Sequence, residues 1–168
     1  MSINLLKNLS FTILSLFLIN STNAQSIGDT QVWIASTIEN YQDKSLNNGN
    51  TWVYFSNGKI WFVKLKAGGT IQHEMSIKDL NQIIVKPSGD SYIVHLRCKF
   101  STRCCDIVHN KINYDGSVVT DFVEQNSKYG YDIYLNNGLN SDNMNIRLKK
   151  AFTHLIGLNG GRVISDTF

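Results

Sequence analysis

Three cysteines fall within eight positions of one another, Cys98, Cys104 and Cys105, and they are the side chains of this 168-residue chain best able to do chemistry. A thiol can act as a nucleophile, a metal ligand or half of a disulfide. Arg103 stands beside the adjacent pair and would favour a thiolate, with His95 or His109 as the base of a thiol-dependent enzyme or redox sensor using Cys104 or Cys105. Against this, the chain has no Cys-x-x-Cys and no thioredoxin-like βαβ pattern. The spacing Cys-x5-Cys-Cys does not suit zinc, and His73, His95, His109 and His154 are scattered, so no metal is expected. Gly68-Gly69 and Gly160-Gly161 lack the flanking residues of a phosphate loop, so no nucleotide cofactor is expected. Asp106, Asp115, Asp121 and Glu124 sit beside turns, where carboxylates commonly serve solvation.

The first 24 residues decide among these readings. Lys7 is followed by the apolar run Phe11 to Ile19 and then by Thr22-Asn23-Ala24. That order, charged start, apolar middle and small-residue end, reads as a secretory signal peptide. The run is too short for a spanning helix, which needs about 20 residues. The expected mature chain, residues 25–168, is a single exported domain, periplasmic or secreted, with no stable membrane anchor. In an exported protein the default for cysteines is a disulfide. Three bridges can be drawn: Cys98–Cys104, Cys98–Cys105 and Cys104–Cys105. Cys98 shares an apolar face with Tyr92, Val94 and Leu96, and Cys105 shares one with Ile107. The alternation therefore favours Cys98–Cys105, with Cys104 as the free thiol.

The elements that must hold these groups follow from periodicity. Residues 29–41 place Trp33, Ile34, Thr37, Ile38 and Tyr41 on one helical stripe, capped by Asp29 or Thr30. Residues 51–65 form a hairpin, because Asn57-Gly58 suits a type I′ turn and pairs Tyr54 with Trp61 and Val53 with Phe62. Strands follow at 70–75, 80–86, 91–98, 105–113, 117–124 and 129–135, with 105–113 expected to pair back on 91–98. A second helix begins at Ser141 or Asp142, buries Met144, Leu148, Ala151, Phe152 and Leu155, and stops at Asn159-Gly160-Gly161. The class is α+β: an N-terminal helix, an antiparallel sheet of about seven strands, and a C-terminal amphipathic helix.

Met75-Ser76-Ile77-Lys78-Asp79-Leu80-Asn81-Gln82-Ile83 resembles a strand common in pleckstrin-homology-like domains. Ala151 to Ile156, followed by Gly160-Gly161, resembles the closing helix of small exported bacterial proteins of unknown function. The likeness spans residues 50–160 and implies a meander or barrel closed by one helix. The N-terminal helix departs from the pattern, and no catalytic residue is carried over. Where such domains bind anionic head groups they carry basic residues near the first hairpin, here Lys59, Lys64 and Lys66; lysines there also simply blunt sheet edges.

The functional expectation is a non-catalytic exported module that binds a protein partner, with Trp52, Tyr54, Trp61 and Phe62 as candidate interface. An immunity-type protein neutralising a secreted toxin is an alternative. With 16 Lys and Arg against 13 Asp and Glu, a net +3 gives no electrostatic case for nucleic acid.

Overall fold

The computed structural model describes residues 26–99 and 102–164; the expected leader, residues 1–24, lies outside them. Helix α1 (Ile27–Tyr41) begins two residues before its expected start. Its cap is Ser26, whose hydroxyl oxygen accepts from the Asp29 amide while Asp29 accepts from the Ser26 amide. Asp29 is thus the inner half of a capping box rather than the cap itself, and Thr30 is buried. Ile34 and Ile38 are fully buried on the stripe, with Trp33 and Tyr41 packed at its margin.

Eight strands follow, all paired antiparallel: β1 (Thr51–Ser56), β2 (Lys59–Lys66), β3 (Gly69–Ser76), β4 (Leu80–Ser88), β5 (Ser91–Cys98), β6 (Cys105–Ile112), β7 (Val118–Lys128) and β8 (Gly130–Asn136). The β1–β2 hairpin has the expected register, Tyr54 opposite Trp61 and Val53 opposite Phe62. Asn57 and Gly58 take the positive φ of its turn, 47° and 71°.

The strands do not run as one meander. They form two sheets, β1-β2-β3-β6-β7 and β4-β5-β8. After β3 a short 3-10 turn, Ile77–Asp79, carries the chain into the β4–β5 hairpin. The chain then returns to the first sheet for β6 and β7, and Tyr129 passes it back to β8. Residues 105–112 therefore pair with β3 and β7, not with β5 as expected. Alternation reports which face a residue takes; it does not report which strand lies alongside.

Helix α2 (Met144–Leu158) buries Leu148, Phe152, Leu155 and Ile156, with Met144 and Ala151 at the margin. Neither Ser141 nor Asp142 caps it. A 3-10 segment, Asn137–Asn143, intervenes; Ser141 donates to the Gly138 carbonyl, and Asp142 and Asn143 turn the chain with φ of 52° and 55°. Past the helix, the Gly161 amide returns to the Ile156 carbonyl. The helices pack on each other, α1 also on β1 and α2 on β4. A single core joins both sheets and both helices, and Phe62 of β2 stacks on Tyr131 of β8 at 4.2 Å.

Candidate functional site

The bridge is Cys98–Cys104, with a Cα separation of 5.7 Å, and the free thiol is Cys105. The expected Cys98–Cys105 pairing assumed that β5 and β6 are neighbours. The faces were read correctly, since Cys98 and Cys105 are both buried, but β6 belongs to the other sheet. Cys105 sits opposite Met75 within that sheet, and Cys104 is left in the connection, next to Cys98. The disulfide thus ties the end of β5 to the entry of β6 and clasps the two sheets where the chain crosses between them. The Cys105 thiol is fully buried, and its pKa is pushed up to about 12 chiefly by that burial. A thiol of this kind holds its proton at neutral pH and is a poor nucleophile.

Of the four aromatic interface candidates, Phe62 is wholly buried in the core and leaves the set. The other three occupy the opposite face of the five-stranded sheet. Tyr54 is 56% exposed, and the Trp61 indole donates to Glu74, which also pairs with Lys59. The registers line up a row across all five strands of this outer face, apolar except at β3: Trp52 beside Val63, then Gln72, Val108 and Val123. The row ends on β7, an 11-residue terminal strand of the sheet. Val118, Val119, Phe122 and Val123 are all exposed there, Val118 by 59% and Phe122 by 49%. None of the four was singled out from the sequence. The signal available was the doublets Val118-Val119 and Phe122-Val123, which put apolar side chains on both faces of one strand.

On the inner side, near the β7–β8 corner, lie two adjoining clefts of about 380 and 360 Å³. Lys64, His73 and Lys128 line both; Arg97, Tyr131 and Asp132 line the first, Lys66, His109 and Glu124 the second. Lys64 and Lys66 alternate inward along β2, as do Ile60 and Phe62, whereas Lys59 lies on the other face. The three lysines noted in the sequence are therefore divided two and one. Lys64 donates to the Asn47 carbonyl at 2.9 Å and stands over the Tyr131 ring. Burial, then the charges of Lys128 and Lys66, lowers its pKa. Burial, then the charges of Lys128 and Lys64, holds His73 at about 4, so its imidazole is neutral at pH 7. Asp132 is bound by Arg97 and His95, and Glu124 by His109 at 3.1 Å.

No group of three or more His, Cys, Asp or Glu among the described residues is placed to hold a metal ion. Asp121 pairs with Lys111 and Asp115 accepts from Ser117 in its own turn. No described helix is long and apolar enough to cross a membrane. No family model, curated protein or solved structure matches the chain.

Proposed function

We propose that this chain is an exported, non-catalytic module that binds a protein partner on the outer face and open edge of its five-stranded sheet. The observation that carries the reading is the row from Trp52 to Val123, apolar on every strand but β3 where Gln72 stands, which terminates in a strand with no backbone partner on its outer side among the described residues. An exposed edge presents free N–H and C=O groups, and a partner in extended conformation satisfies them by adding a strand. Side chains on both faces of β7 then give such a partner apolar contact. Export is supported by the leader-like residues 1–24 and by a disulfide, which persists in oxidising compartments. The non-catalytic reading is supported by Cys104 being bridged and Cys105 being buried and protonated. The two sheets and closing helix also resemble a pleckstrin-homology-like architecture, although β6 and β7 joining the first sheet departs from a simple meander.

The test is site-specific photo-crosslinking from position 122 in the producing cell, with sites mapped by mass spectrometry. A single dominant adduct that disappears in Val123→Lys supports the reading, and an adduct to a second copy of the chain identifies the partner as itself. Adducts unchanged by Val123→Lys, in a variant that remains folded, overturn it.

A further inference from the structure

We propose that the two adjoining clefts on the inner side of the five-stranded sheet, the first of them lined by both sheets, bind a small anion bearing a carboxylate or phosphate group. This site is on the inner side of the sheets and is independent of the partner reading, which concerns the outer face. Four cationic side chains, Lys64, Lys66, Arg97 and Lys128, line the clefts against two carboxylates, Asp132 and Glu124. Both carboxylates are engaged, Asp132 by Arg97 and His95 and Glu124 by His109. The two cleft carboxylates thus pair with Arg97, His95 and His109 rather than with Lys64, Lys66 or Lys128. The local excess of positive charge is thus concentrated at one concave spot in a chain whose total is only +3.

Lys64 is the centre of the argument. It is half-buried, held in place by the Asn47 carbonyl and by the Tyr131 ring beneath it, and faces like charges in place of a counter-ion. Holding ammonium groups together in a partly desolvated cleft costs folding free energy, and a bound anion offsets that cost. Each cleft falls in the range of about 300–1,000 Å³ typical of small-ligand sites. The floor is stiff: Tyr131 is stacked on Phe62, and Gly130 approaches β5 so closely that an added Cβ would lie 1.9 Å from the Leu96 carbonyl oxygen. A rigid strand scaffold keeps the cations in place before the ligand arrives, which reduces the ordering cost of binding. The small volume suits a compact anion rather than a polyanionic chain.

The experiment is a two-dimensional amide NMR titration of the mature protein with inorganic phosphate and, separately, with citrate, at constant ionic strength. A third arm sediments the protein with phosphatidylglycerol vesicles. The expected result is saturable shifts at Lys64, His73, Lys128 and Gly130. Lys128→Gln removes an exposed charge and retains the fold; it should weaken binding about tenfold, as loss of a charge-assisted contact does, and Lys64→Gln should do the same. Lys59→Gln, on the opposite face, should leave binding unchanged. Sedimentation with vesicles that is lost in Lys128→Gln assigns the anion to a lipid head group. Saturable phosphate or citrate binding without sedimentation assigns a soluble ligand. Linear shifts spread over the surface lysines, or saturable shifts that Lys128→Gln does not alter, overturn the proposal.

Discussion

The outer edges of β8 and β7 are built in opposite ways. At β8 the loop after α1 folds against the strand. The Asp43 amide donates to the Tyr134 carbonyl, and Gln42 forms an isolated bridge with Leu135. The Asn47 side chain completes the closure: its amide nitrogen donates to the Tyr134 carbonyl at 2.6 Å and its oxygen accepts from the Tyr134 amide at 3.0 Å. One carboxamide thus makes both hydrogen bonds that a neighbouring residue of a strand would make. Asp43 anchors the loop through Ser45, Leu46 and Ser91, and these bonds hold its carboxyl at about 2. Helix α2 covers the other side of that sheet through β4. At β7 no such loop or helix intervenes among the described residues, and the strand carries exposed valines and a phenylalanine. A fold that closes one edge with a dedicated carboxamide has the means to close the other. The bare β7 edge is the one on which the proposed partner surface rests, since bare apolar edges invite pairing.

The widest expected difference is between core and edge. Ile133→Ala, in the middle of β8 and fully buried, should cost about 2–5 kcal/mol in urea unfolding. Val123→Ala on β7 should stay within about 0.5 kcal/mol. Equal costs at the two positions would break the contrast. Reduction of Cys98–Cys104 comes next. The bridge closes a short loop, with a sequence separation of 6, so its loss should lower stability by about 2–3 kcal/mol at most, read as a shift of the urea midpoint with and without reductant. Asn47→Ala leaves the Tyr134 amide without its partner and its carbonyl with the Asp43 amide alone, and should cost about 1–3 kcal/mol. Faster hydrogen exchange at Tyr134, with none at the core of β5, would confirm that the carboxamide acts as a strand. The remaining contrast is in pH. His73 binds its proton only near pH 4 when folded but near 6.5 when unfolded. The unfolded state therefore holds more protons between those values, and stability falls as pH drops from about 6.5 to about 4. His73→Gln should flatten that slope in denaturation midpoints taken across the window.

The local elements were legible because short-range chemistry writes them. Asn57-Gly58 encodes its own turn, and the spacing of Ile34, Ile38, Leu148, Phe152 and Leu155 encodes two helix faces. The lateral order of strands is not local. Thr70 and Asn110, 40 residues apart, are neighbours because β3 and β6 pair, and Val94 meets Ile133 because β8 returns to β5. The wrong disulfide follows from the same gap, as it needed only one misplaced neighbour. The cleft was illegible for a related reason. Lys64, His73, Arg97 and Lys128 come from β2, β3, β5 and β7, each unremarkable on its own strand, and only the packing of the strands collects them.

The adjacency of Cys104 and Cys105 has a consequence for how the chain reaches its oxidised state. Drawing Cys105 toward Cys98 in place of Cys104 would slide β6 by one residue past β3 and β7. A one-residue slip turns a strand over. Asp106 and Val108 would then point into the core, and Cys105 and Ile107 outward. The side-chain pattern of β6 thus proofreads the oxidation: the native register hides one sulfur and offers the other, and a chain that oxidises before it pairs its strands traps itself with a charged residue facing inward.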